Sequence, residues 1–142
     1  MNQSFNADGL TLEYPDTWKL VKEDGEEGWT VTIQSPGAAF AMIQLDRNLP
    51  DPQQMVEEAM ATLKADYPQL DAESAIETLG GEMAIGDDYE FLSLDMVNSG
   101  WTRSFYALAG TVFLLCQYSD AEEDDYLPSL QAICKSIRID EE

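Results

Sequence analysis

The stretch WTRSFYALAGTVFLLCQYS, Trp101–Ser119, carries apolar or aromatic side chains on both of its alternating faces. Ala109-Gly110 supplies a turn near its middle, so it reads as a hairpin of Trp101–Ala109 and Thr111–Ser119. A strand pair with two apolar faces belongs in the centre of a sheet, with both sides at least partly covered. That reading asks the rest of the chain for a covering layer on each side.

Upstream, Asp88–Asn98 alternates Leu92, Leu94 and Met96 against Ser93 and Asp95, with Ser99-Gly100 expected to turn it into Trp101. Ala75–Leu79 and Glu82–Ile85 flank Gly80-Gly81, a hairpin signal. Before them the period changes. From Pro52 to Tyr67, Met55, Val56, Ala59, Met60, Leu63 and Tyr67 recur at the spacing of one helix face. Asp51 stands where an N-cap belongs, Pro52 suits the first helical position, and Pro68 closes the segment. The chain opens on strands at Leu10–Tyr14, Trp18–Lys22, Trp29–Gln34 and Ala39–Asp46, expected to form one antiparallel meander. It closes on a second helix with the stripe Tyr126, Leu127, Leu130, Ile133, Cys134 and Ile137. Pro128 sets that helix's expected start near Asp125, and Asp120 with Glu123 has the order of a capping box. The 142 residues suit a single domain spanning the chain.

Charge excludes whole classes of function. With 28 Asp and Glu against 7 Lys and Arg, the net charge is −21. A folded surface of this size then carries about one net negative charge per 350 Å². Nucleic-acid affinity rests on Lys and Arg displacing counterions, so no nucleic acid is expected as a partner, nor an anionic membrane. A protein partner is expected, with charge favouring a basic one. There is no histidine, which removes the usual general base and the commonest transition-metal ligand. Any catalysis would rest on carboxylates, and among 28 acids a pair can always be found, so the pairing carries no information. No enzymatic activity and no cofactor are expected.

The two cysteines, Cys116 and Cys134, lie in apolar stretches without metal or redox spacing and read as free buried thiols. MNQSFNADG has neither a basic n-region nor an apolar h-region, so no signal peptide is visible and a cytoplasmic location is expected.

Gly9–Trp18, GLTLEYPDTW, resembles the start of the Mog1/PsbP-like superfamily, which includes the DUF1795 and DcrB-like groups. Lys135–Ile139, KSIRI, at the end of an amphipathic helix, resembles that superfamily's C-terminal element. The order of strands, helix, long meander and final helix fits between them. The resemblance implies an α+β fold: an α/β/α sandwich around an antiparallel sheet of about six or seven strands, flanked by two main helices. It also implies a mostly non-enzymatic role. Mog1 acts on the GTPase Ran, PsbP is an extrinsic subunit of photosystem II, and some DUF1795 members chaperone secretion effectors. The metal-binding histidines expected of PsbP are absent, and no functional residue carries over to a numbered position.

Candidate partner-binding residues fall in two places. Asp87, Asp88, Tyr89 and Glu90 follow Gly86 and suit an acidic patch with exposed Tyr89 and Phe91 as aromatic anchors; otherwise they form a solvated loop with Tyr89 packed locally. Trp101 and Arg103 share one strand face, where they either line a shallow pocket or cover the sheet. Arg103 calls for a carboxylate partner, and Asp95 is the nearest candidate in that reading. A second function class, a metal- or small-ligand-binding domain, would use acidic loops such as Glu23–Glu27 or Glu122–Asp125. The latter lacks the spacing of a calcium loop, and its charge also suits a helix N-terminus.

Overall fold

The computed structural model describes residues 2–140. Seven strands form one sheet: β3 (Lys19–Asp24), β4 (Gly28–Gln34), β5 (Phe40–Asp46), β6 (Asp71–Leu79), β7 (Glu82–Ser93), β8 (Met96–Tyr106) and β9 (Thr111–Ser119). Their order is β3-β4-β5-β9-β8-β7-β6, and every pairing is antiparallel. The segment with two apolar faces, β9, is the middle strand, as its composition demands. Helix α1 (Pro52–Asp66) and helix α2 (Glu123–Lys135) lie on opposite faces. The result is the α+β sandwich that the resemblance implies.

The two faces of β9 show how the layers divide. Val112, Leu114 and Cys116 pack with Leu130, Ile133 and Cys134 of α2. Phe113 and Leu115 point the other way, into the cluster of Val56 and Met60 from α1. Asp51 caps α1 as the sequence indicates, its Oδ1 accepting from the Gln53 N–H at 3.0 Å.

Four expectations need correction. A strand absent from the reading, β1 (Asn2–Ala7), pairs with β2 (Leu10–Pro15), and β2 pairs with the short β10 (Arg138–Ile139). These three form a separate small sheet, so only β3, β4 and β5 make the opening meander. Leu10 and Leu12 of β2 are buried in the core shared with α2 and the main sheet, where this small sheet serves as a cover.

The turn expected at Ser99-Gly100 lies instead at Leu94-Asp95, both at positive φ (53° and 61°) between the paired Ser93 and Met96. Ser99 and Gly100 are therefore interior to β8, and Glu82–Ile85 and Asp88–Ser93 belong to one continuous β7. Gly100 has a packing role there: a Cβ would meet the Tyr89 ring at 2.7 Å and the Cys116 carbonyl oxygen at 2.3 Å. Finally, a 3-10 turn (Asp120–Glu122) runs straight into α2, which starts at Glu123, and Pro128 stands in its second turn. No capping box forms: neither Ser119 nor Glu122 makes a side-chain cap bond, and Asp120 accepts from Ser99 Oγ at 2.8 Å.

Candidate functional site

Helix α2 and the small sheet cover the middle and the β4 side of one sheet face. The β6-β7-β8 end of that face is left open, and a groove of about 1130 Å³ runs along it beneath the flank of α2. Register fixes what lines it, because alternate residues share a face and paired residues share a rung. Asp88 pairs with Trp101 and with Glu73, and Glu90 with Ser99 and with Asp71. Glu77 stands further along β6, and Leu127, Gln131, Cys134 and Lys135 form the helical wall. Five carboxylates (Asp71, Glu73, Glu77, Asp88, Glu90) thus face two cations, Arg103 and Lys135.

Arg103 is the structural centre of this end. It pairs in register with Gly86, whose missing side chain leaves the guanidinium free to reach across β7 to β6. Nε donates to Glu77 Oε2 at 2.6 Å, Nη2 to Asp88 Oδ1 at 2.8 Å, and Nη1 to the Thr102 carbonyl at 2.7 Å. Its side chain is only 7% exposed, against 44% for Glu77 and 60% for Asp88. The buried cation is thereby committed to internal partners, and its two carboxylates keep solvent-facing lone pairs. The expected partner Asp95 is not involved: it occupies the β7–β8 turn, away from Arg103.

Of the sequence candidates, Asp88, Glu90, Trp101 and Arg103 come together in the groove. Asp87 lies on the opposite strand face and its carbonyl accepts from Arg103 Nη1 at 3.4 Å. Tyr89 also lies on that face, so the exposed aromatic anchor is corrected. It is 4% exposed, and its hydroxyl donates to Gln117 Oε1 at 2.8 Å. Its ring stacks on Phe91, itself buried and stacked on Tyr67 beyond α1 at 3.9 Å. Burial holds the Tyr89 hydroxyl protonated, pushing its pKa well up. The packed alternative describes Tyr89; the loop does not exist, since Asp87–Glu90 lie inside β7.

The groove residues missed by sequence reasoning are Asp71, Glu73 and Glu77. The strand starting at Asp71 is four residues longer than the Ala75–Leu79 reading, and it is exposed except near Ala75 and at the buried Leu79. The one available signal was alternation itself: Asp71, Glu73, Ala75, Glu77 and Leu79 fall on a single face.

The acidic loops have other duties. Glu122 Oε1 accepts from the Ala38 N–H at 3.0 Å, and the Gly25 N–H closes on the Gly28 carbonyl at 2.8 Å. Among the described residues, no three His, Cys, Asp or Glu side chains converge as a metal site, and no helix is long and apolar enough to cross a membrane.

No family model matches the chain, and no curated protein matches it. Solved structures do. Cyanobacterial PsbP (CyanoP) from Synechocystis is similar with a TM-score of 0.70 at 11% identity, over 98% of this chain and 92% of that one. LpqN, involved in cell envelope biogenesis of Mycobacterium tuberculosis, gives 0.58 at 15% identity, over 99% and 91%. A Pseudomonas aeruginosa protein of unknown function, PA94, gives 0.58 at 12% identity, over 99% of both chains. These likenesses extend over nearly the whole chain and show its fold. The chain has the Mog1/PsbP-like fold.

Proposed function

We propose that this protein is a non-enzymatic interaction module whose groove between α2 and the β6-β7-β8 end of the sheet receives a basic segment of a partner protein. The observation that carries the reading is the groove's charge: five carboxylates around Trp101, with its buried arginine already committed to two of them. Lys or Arg side chains of a partner would meet Asp71, Glu73 and Glu90 on the rim and the Trp101 face on the floor. The surrounding net charge of −21 steers such a segment inward and repels nucleic acid and anionic lipid. The fold is shared with CyanoP, a cyanobacterial PsbP, and with LpqN, involved in cell envelope biogenesis, and an accessory role is in keeping with both.

The next rung on the same face, Leu92 paired with Val97, is apolar and exposed. It extends the groove with an anchor for an apolar residue beside the basic ones. An amphipathic, lysine-containing peptide is therefore the probe, with a neutral peptide of the same length as control.

Trp18 and Trp29 are buried, so Trp101 is the tryptophan placed to report on binding through its fluorescence. The basic peptide should change that emission, and binding should weaken about tenfold between low and high salt. Glu73→Gln with Glu90→Gln should weaken it several-fold. Equal binding by that double variant, or by the neutral peptide, would remove the groove from the function.

A further inference from the structure

The chain has two cysteines, 18 residues apart, one on the middle strand of the sheet and one on α2, and their Sγ atoms lie 3.6 Å from each other. Nothing local forces that meeting, since strand and helix reach it from opposite sides of the core. The two thiols differ in access. Cys116 is fully buried beneath the helix, between Ala41 and Trp101 on the neighbouring strands. Cys134 is 6% exposed and forms part of the groove wall.

We propose that Cys116 and Cys134 are a dithiol site that reacts with small cationic disulfides entering the groove and closes to an intramolecular disulfide between β9 and α2. The groove supplies the selectivity, because its excess of carboxylates favours a cationic reagent over an anionic one. Access orders the steps. The Cys134 thiolate attacks one sulfur of the reagent, a mixed disulfide forms, and the reagent's S–S bond breaks. The thiolate released takes up the proton that Cys134 lost. Cys116, as thiolate, then attacks Cys134 Sγ and expels the second half of the reagent, which takes up the Cys116 proton. Two electrons and two protons have passed from the protein dithiol to the reagent, giving two small thiols.

The geometry permits the second step with little movement. A disulfide requires an S–S distance of about 2.0 Å, so the sulfurs must close by roughly 1.5 Å. The thiols' acidities follow the same division of labour. The hydrogen bond with Cys116, opposed by burial and aided by the Trp101 indole, draws the Cys134 thiol below its usual value, whereas burial holds Cys116 well above. The inference is independent of the proposed protein partner, since it uses the groove only as a path to Cys134.

The test uses the intact, folded chain with cystamine, a dicationic disulfide, and with oxidised glutathione, an anionic one, each followed by intact mass and thiol titration after unfolding. With cystamine the chain should lose two hydrogens, retain no adduct and titrate no thiol. Its thermal midpoint should rise by roughly 5–10 °C, reversibly on reduction. Cystamine should react at least about tenfold faster than oxidised glutathione at low ionic strength, with the gap narrowing in salt. Cys116→Ser should stop at a single mixed disulfide, and Cys134→Ser should stay unmodified. A wild-type chain that keeps both thiols, holds a stable adduct or cross-links to a second chain would overturn the proposal. Equal rates for the two reagents would overturn its cationic selectivity. The wild-type readouts decide the matter even where a serine variant does not fold.

Discussion

On one face of the same sheet, β4 presents Trp29, Val31 and Ile33, while β6 presents Asp71, Glu73 and Glu77. All three β4 residues are buried, whereas β6 is exposed along nearly its whole length. Both strands alternate, and both belong to antiparallel pairs. What separates them is cover: the small sheet and α2 close over one end, and among the described residues only the flank of α2 borders the groove at the other. Alternation says which residues share a face, and only the covering layer decides whether that face is core or binding surface.

The largest effect should come from truncating one side chain of that face at each end. Ile33→Ala on β4, fully buried, should cost about 3–4 kcal/mol in denaturant unfolding. Glu73→Ala on β6, exposed on that same face, should cost less than about 0.5 kcal/mol. Equal losses would mean that β6 is covered in solution, and the contrast between the ends would collapse. Next comes Arg103→Met, which removes the cation joining β6, β7 and β8. A loss of about 2 kcal/mol is expected, below that of a fully buried pair because solvent reaches both carboxylates. A neutral result would show that the open end does not depend on this cation.

A smaller effect, of opposite sign, tests the hairpin at the open end. Leu94 and Asp95 both hold positive φ, a conformation costly for leucine and natural for Asn-Gly. Replacing the pair by Asn-Gly should stabilise the chain by about 1 kcal/mol. No gain would argue for a turn elsewhere, as at Ser99-Gly100.

The smallest effect concerns the closed end. The Trp29 indole N–H foremost holds the Asp8 carboxyl below its ordinary value of 3.8, against the opposing effect of burial and with help from the Arg47 guanidinium. A carboxyl with a lowered folded pKa contributes stability above the unfolded value and loses it as pH falls through the folded one. Wild type should therefore melt above Asp8→Asn at pH 7, by under about 1 kcal/mol given the exposure of this carboxyl. That gap should close below pH 3.8. A gap that persists in acid would assign the difference to something other than the carboxylate.

Local chemistry made much of the fold legible. Asp51-Pro52 opens α1 and Gly80-Gly81 turns β6 into β7 because each residue type satisfies a requirement within its own few neighbours. Asp8-Gly9 carried the same kind of hairpin signal for β1, but the polar Asn2–Ala7 offered no apolar alternation to support it. The turn at Leu94-Asp95 was hidden for the opposite reason. Leucine disfavours positive φ and no glycine stands beside it, and the more obvious Ser99-Gly100 is needed as flat strand where the Tyr89 ring crosses. Half of the candidate site was legible, Trp101 and Arg103 by alternation and Asp88 with Glu90 by their acidity. Tyr89 was misplaced because one residue of register moves a side chain through the sheet. The thiol pair was beyond reach, since the meeting of Cys116 with Cys134 depends on how α2 docks and on no local pattern.

The position of β9 has a consequence for how the protein is made. Ala41 on β5 pairs with Ile33 of β4 on one side and with Cys116 of β9 on the other, so β5 has no neighbour on that second side until α1 and the whole β6–β8 ribbon have been synthesised. For that interval the nascent chain carries a bare strand edge with Ala41, Ile43 and Leu45 uncovered beside it, the form in which sheets recruit the wrong chain. Closing so long a loop is slow compared with joining adjacent hairpins. Assembly is thus most exposed to error at the seam between β5 and β9, the pairing that lies deepest in the finished molecule.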